Sequence, residues 1–78
     1  MNSFQSYANA EVVTPSDSTD LKQPTRAIFV THGGYVRATM VGKGEDVHFL
    51  GLLPGIIYPF AIRRALVAGT NAEIIALW

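Results

Sequence analysis

Several constituents that often stabilise a small protein are absent from this chain. Its 78 residues contain no cysteine, so no disulfide can form, and only two histidines, which argues against a zinc site. A chain of this length forms one domain at most and buries only about 60% of the surface that its unfolded form exposes. We therefore expect partner chains to supply part of its stability.

Charge is also scarce. Charged residues make up 15% of the chain, against about 25% in an average domain. Six basic residues balance six acidic ones, so the basic stripe of a nucleic-acid-binding protein is not expected. No apolar run reaches the length of a transmembrane helix, and residues 1–10 lack the basic start of a signal peptide. The composition predicts no nucleic-acid partner, no membrane partner, and a surface that another chain covers.

Residues 25–41 are the centre of the predicted fold. Two short runs rich in β-branched and aromatic residues flank Gly33 and Gly34, and a Gly-Gly pair readily adopts the positive φ of a tight turn. In the second run, the apolar residues Val36, Ala38 and Met40 alternate with the others. This pattern predicts a β-hairpin.

Three further strands are predicted after the hairpin. They span residues 46–50, 56–67 and 73–78, and the turns that precede them span 42–45, 51–55 and 69–72. Pro59 cannot donate to a strand ladder, and a helix over 60–68 is the alternative for that segment. With a brief strand over 11–14, about six short strands predict an all-β fold, a small antiparallel β-sandwich or barrel.

Residues 1–23 have a different composition, rich in Ser, Asn, Thr and Asp and without sustained periodicity. We predict an extended N-terminal arm over 1–23 and a small β domain over 24–78. Phe4, Tyr7 and Val12 give the arm apolar groups to bury against a neighbour, which would order it. A tail without a function is the alternative.

Three motifs suggest chemistry, and each lacks the rest of its signature. His32-Gly33-Gly34 has no nucleophile elbow, the glycines around Lys43 have no P-loop spacing, and Asp17 with Asp20 has no EF-hand ligand pattern. We predict no catalytic residue, no cofactor site and no metal site, and hence a protein that is not an enzyme.

Two adjacent arginines are the strongest candidates for an interaction. On a strand, Arg63 and Arg64 point to opposite faces, and one of them is expected at the core rim or a subunit contact, paired with Asp17, Asp20 or Glu73. A solvated strand edge is the alternative. The predicted interface residues are Phe4, Tyr7, Val12, Asp17, Asp20, Tyr58, Phe60, Arg63, Arg64 and Trp78.

Three blocks of sequence resemble a known family when taken together. The block TPSDSTDL at 14–21, the block LPGIIYPFAIRR at 53–64 and the ending IIALW at 74–78 resemble the head-spike base proteins of gene transfer agents and tailed phages. The resemblance spans residues 12–78. The chain departs from the family pattern at 22–23, where a more apolar or proline-containing pair is usual, and at 51–53, which is more apolar than usual.

The resemblance implies a virion structural protein without catalytic activity. Such a protein forms a homo-oligomer, a pentamer or a trimer, on the outer surface of the capsid. It binds the major capsid protein at a vertex and anchors a spike or fibre protein. A cement protein that decorates capsomer junctions is the close alternative. From the residues alone, a carbohydrate-binding module that stacks sugars on Tyr35, Tyr58 and Trp78 stays open as a further alternative.

Overall fold

A computed structural model of the protein describes residues 7–42 and 46–78, which form seven strands in two antiparallel sheets. The strands are β1 (Ala10–Val12), β2 (Ala27–His32), β3 (Gly34–Met40), β4 (Asp46–Leu52), β5 (Ile57–Tyr58), β6 (Ile62–Ala65) and β7 (Glu73–Leu77). The first sheet has the order β1-β7-β2-β5, and the second has the order β4-β3-β6. The prediction of a small all-β sandwich is confirmed.

The core lies between the two sheets and consists mainly of aliphatic side chains. The largest completely enclosed side chains come from three strands: Ile28 and Val30 from β2, Val36 from β3, and Ile62 from β6. Each such side chain contributes about 1.5–3 kcal/mol by leaving water. Because successive strand residues point to opposite faces, alternate apolar positions on each strand are enough to build this core.

The predicted hairpin over 25–41 is wrong, because β2 and β3 belong to different sheets. β2 pairs with β7 and β5, whereas β3 pairs with β4 and β6. At Gly33 the chain crosses between the sheets so tightly that a Cβ atom would lie 2.7 Å from the Leu52 carbonyl oxygen. Gly34 has a φ of 150° and would place a Cβ against the Asn71 side chain. At the glycine pair the chain passes from the first sheet to the second, so that β2 and β3 both turn their apolar faces to one core.

The single strand predicted over 56–67 is also wrong. It is divided into β5, which pairs with β2 in the first sheet, and β6, which pairs with β3 in the second. Pro59 lies between the two parts, where no ladder hydrogen bond is needed. The alternative helix over 60–68 does not form, since β6 occupies its centre.

The remaining strand predictions are confirmed with shifted ends. β4 continues into the predicted loop, and Leu52 at its end is buried. β7 covers the predicted last strand, and Trp78 packs against the core beside it. The predicted turn over 42–45 lies largely outside the described residues, since Lys43, Gly44 and Glu45 are not among them.

Residues 16–25, here called the strap, run along the outer edge of β6. Their backbone amides donate to three carbonyls of β6: Ser16 to Ala65 at 2.8 Å, Leu21 to Arg63 at 2.7 Å and Thr25 to Ile62 at 2.9 Å. Upstream of the strap, β1 pairs with β7 and Val13 is buried. The described part of residues 1–23 therefore packs on its own chain. Their ordering by a neighbour, and their separation from 24–78 as an arm, stay predictions.

Candidate interaction surface

An ion pair fastens the strap to β6. The Arg64 Nε donates to Asp20 Oδ1 at 2.8 Å, and its Nη1 donates to the Asp17 carbonyl at 3.3 Å. The Arg64 side chain is 27% exposed and that of Asp20 45%, so water screens the pair in part. One arginine was expected to pair with Asp17, Asp20 or Glu73, and Arg64 does so within one chain.

The strap is stabilised by local turns as well. The Asp17 Oδ1 accepts a hydrogen bond from the Val67 amide at 2.8 Å. The Ser16 Oγ accepts from the amides of Ser18 and Thr19 at 3.2 and 3.0 Å. These are the short-range bonds that Asp and Ser side chains form in turns. Asp17 and Asp20 thus have a structural role that accounts for their position without a bound cation.

A buried threonine closes the far end of the strap. The Thr25 Oγ1 donates to the Phe60 carbonyl at 2.7 Å and accepts from the Ile62 amide at 2.9 Å. The residue is 3% exposed. Thr25 therefore satisfies two backbone groups where the chain enters β6 after Pro59. Sequence reasoning missed it, since a lone threonine before a strand carries no distinctive signal.

Two of the predicted aromatic interface residues, Tyr58 and Phe60, form part of a ring cluster instead of an exposed patch. Phe60 stacks on Phe49 with ring centroids 4.2 Å apart and on Tyr58 at 5.4 Å. The Tyr58 hydroxyl accepts from the Leu53 amide at 3.0 Å. Trp78 is half-buried and packs against the core. Since Tyr58 and Trp78 are engaged in this way, only Tyr35 is left exposed for sugar stacking.

The other predicted interface residues are scattered. The Arg63 side chain is exposed, and its carbonyl belongs to the strap contact. Val12 is 72% exposed on β1. The ring of Tyr7 lies beneath the Arg26 guanidinium, 5.7 Å from its centroid. Phe4 lies outside the described residues. The interface assignment of these residues is untested and stays a prediction.

A group of exposed apolar residues near β4 and β5 was not predicted. Leu50 is 70% exposed, Leu53 57%, Ile57 48% and Ile56 39%. These four residues lie within the stretch 50–57, which covers the end of β4, its connection to β5 and the start of β5. The unusually apolar loop at 51–53 was the available signal. Such a group on a small protein is typical of a surface that binds another chain.

An open groove of about 560 Å³ runs beside β7. It is bordered by Val12, Pro15 and Asn71, and by an exposed pair in which His32 Nδ1 lies 3.1 Å from Glu73 Oε1. Thr31 and Thr70 also line it, and the Thr31 hydroxyl donates to the Glu73 carbonyl at 3.0 Å. Among the described residues, no three His, Cys, Asp or Glu side chains are grouped closely enough to hold a metal ion. In the same part of the chain no helix is long and apolar enough to cross a membrane.

These features define a class: a small antiparallel β-sandwich whose distinctive surfaces suit contacts with other chains. Comparison with protein-family models and with curated proteins finds no match. Comparison with solved structures finds a chain described as part of the capsid of a native GTA (gene transfer agent) particle, computed with C5 symmetry. The TM-score is 0.85 and the identity 32%, over 94% of this chain and 84% of that one. The protein belongs to the same family as this gene transfer agent capsid chain, which supports a role as a virion structural protein.

Proposed function

We propose that this protein forms a homo-oligomer on the outer surface of a capsid, at a vertex, where it anchors a spike or fibre. The observation that carries the proposal is the 32% identity to a chain from a capsid computed with C5 symmetry. Five-fold symmetry is the symmetry of a capsid vertex, and a pentamer is the oligomer that would fit it. The resemblance of 14–21, 53–64 and 74–78 to head-spike base proteins supports the same position.

The physical properties of the chain agree with an assembled structural role. The core is thin, no cysteine cross-links it, and charged residues are only 15% of the sequence. Exposed aliphatic residues such as Val12, Leu50 and Leu53 would be covered in an assembly. Contacts with other copies and with the major capsid protein would supply the stability that a small core lacks.

The native mass of the purified protein and its binding to capsids test the proposal. We expect a closed oligomer that co-sediments with capsids assembled without it, and density at the vertices in a reconstruction of those capsids. A monomer that stays in the supernatant would overturn the proposal. Capsids of an unrelated virus, incubated under the same conditions, control for nonspecific adhesion.

A cement protein is the second candidate, because the matching structure is described as a capsid and its description mentions no spike. A cement protein would sit at capsomer junctions, and a trimer at three-fold positions is the natural form. The same reconstruction separates the two functions. Density at vertices alone supports the spike base, whereas density at three-fold junctions supports the cement protein.

A further inference from the structure

The outer edge of β4 presents backbone groups that no described residue satisfies. In β3, the Arg37 amide donates to Thr70 Oγ1 and its carbonyl accepts from the Leu66 amide, so the Arg37 backbone faces β6. Arg37 is the register partner of His48. In an antiparallel pair, a residue opposite such a position turns its own N–H and C=O away from the partner strand. The backbone groups of His48, and of Asp46 two residues earlier, therefore point outward.

The outer edge of β1, a strand of only three residues, also has outward backbone groups. The Asn9 backbone exchanges two hydrogen bonds with Trp78, at 2.9 and 3.1 Å, and the Val13 amide donates to the Ile74 carbonyl. These alternate residues face β7. The N–H and C=O groups of Ala10 and Val12 thus point away from the sheet, and none of the described residues bonds to them.

The other two sheet edges are protected. The strap covers β6 with hydrogen bonds to its carbonyls. β5 has only two residues, Pro59 follows it, and the Tyr58 carbonyl already accepts from the Phe60 amide. Covering an edge, shortening it and placing proline beside it are the usual ways in which proteins prevent edge pairing. β4 has seven residues with neither proline nor lysine among them, and the bulge in its ladder lies at its end, between Phe49 and Leu52, so that residues 46–48 stay regular.

Exposed apolar side chains mark the same two edges. The most exposed large apolar residues of the described chain are Val12 at 72%, on β1, and Leu50 at 70%, on β4. The two edges lie on opposite sides of the sandwich, because β1 and β5 end the first sheet and the short connection 53–56 keeps β4 beside β5. One side chain of this kind therefore stands on each side of the molecule.

We propose that the β1 edge of one copy pairs with the β4 edge of the next copy, so that copies join head to tail by strand addition. A pairing of β4 with β4 would leave Val12 exposed, and a pairing of β1 with β1 would leave Leu50 exposed. The head-to-tail contact covers both with one type of interface, and such heterologous contacts close into rings when the rotation between neighbouring copies divides a full turn. The inference rests on the homo-oligomer of the proposed function and names the surfaces that build it.

Proline at position 48 tests the contact. His48→Pro removes an N–H that the folded chain does not use, whereas His48→Ala keeps that N–H and serves as the matched control. We expect His48→Pro to raise the concentration at which the oligomer dissociates by about tenfold or more, and His48→Ala to leave it near that of the wild type. Thermal unfolding of the dissociated His48→Pro protein confirms that it is folded. An unchanged oligomer in His48→Pro would overturn the contact.

Charge substitution gives a second test. Val12→Lys and Leu50→Lys should each dissociate the oligomer, because either lysine would have to be desolvated in the contact. Val41→Lys is the control, since Val41 is 44% exposed but follows β3 and lies on neither edge. Equal loss in all three variants would show a general effect of charge and would contradict the proposal.

Cross-linking determines which edges meet. The chain has no cysteine, so Val12→Cys and Leu50→Cys each introduce a single thiol. A short bismaleimide should link the mixture of both variants and neither variant alone, in solution or on capsids. Linkage of Leu50→Cys alone would instead show two-fold pairing of β4. Capsid binding that persists without heterotypic links would reject this contact while the proposed function stands. Failure of the wild-type protein to bind capsids would reject the proposed function itself.

Discussion

The two edges of the second sheet differ in how their backbone groups are satisfied. At β6, the strap donates three backbone hydrogen bonds, and the pair of Asp20 with Arg64 holds it in place. At β4, the groups of Asp46 and His48 point outward with no partner among the described residues. One edge is completed by its own chain, while the other keeps backbone groups that the described residues leave unbonded.

This difference shows how a small protein can be both folded and ready to assemble. A sheet with two open edges can pair with other chains at both of them, and proteins block such edges. Covering β6 within the chain restricts edge pairing in the second sheet to β4. Because β1 is the complementary open edge of the first sheet, the fold permits a directed contact between copies.

The largest expected effect is at the closed edge, in Thr25→Val. The variant keeps the shape of the side chain but leaves the Phe60 carbonyl and the Ile62 amide without their partner. We expect a loss of about 3 kcal/mol in the free energy of unfolding, measured by urea denaturation. Thr31→Val is the control, because the Thr31 hydroxyl bonds an exposed carbonyl. Equal losses in the two variants would show that burial of Thr25 is unimportant.

A proline pair at the open edge should give the next largest effect. Since His48 faces outward, Val47 faces β3 and bonds its register partner Ala38. Val47→Pro removes that ladder bond within the fold, and we expect it to cost about 2 kcal/mol. His48→Pro should cost only about 0.5 kcal/mol in the dissociated chain. Similar unfolding free energies for the two prolines would contradict the assignment of outward and inward groups.

Loss of the ion pair between Arg64 and Asp20, which fastens the strap to β6, should have the smallest effect. Arg64→Ala is expected to cost about 1 kcal/mol, because the pair with Asp20 is partly exposed to water. A double-mutant cycle of Arg64→Ala with Asp20→Asn isolates the ion pair. The coupling energy should favour folding but be smaller than the whole loss of stability in Arg64→Ala. The adjacent Arg63→Ala, which removes an exposed side chain, should change stability by about 0.5 kcal/mol or less. A larger loss of stability in Arg63→Ala than in Arg64→Ala would show that Arg63, and not Arg64, fastens the strap.

Strand positions were predictable where a local pattern decides them. The alternation of Val36, Ala38 and Met40 predicted β3, and the apolar ending predicted β7. Sheet membership was not predictable, because the Gly33-Gly34 pair suits both a hairpin turn and a crossing between sheets. The choice depends on β7, which pairs with β2 from more than 40 residues away, as in the register partners Ile28 and Ala76.

The interaction surface was predictable only in part. Opposite charges predicted that one of the two arginines pairs with Asp17, Asp20 or Glu73, but they did not select Arg64 and Asp20. The ring cluster of Tyr58 and Phe60 was not predicted, because it includes Phe49, which a different strand supplies. The exposed residues Leu50 and Leu53 were overlooked, because a sequence pattern does not show which apolar residues the core has room to enclose.

The sequence by itself determined the all-β class, the absence of disulfides and the family resemblance. These properties depend on residue type and local spacing, which the chain carries without folding. Only the tertiary structure decided which strands share a sheet, that the strap completes β6, and that β1 and β4 keep outward backbone groups. Those properties arise from contacts between distant residues, since a hydrogen-bonding group is open or satisfied only once its neighbours in space are set.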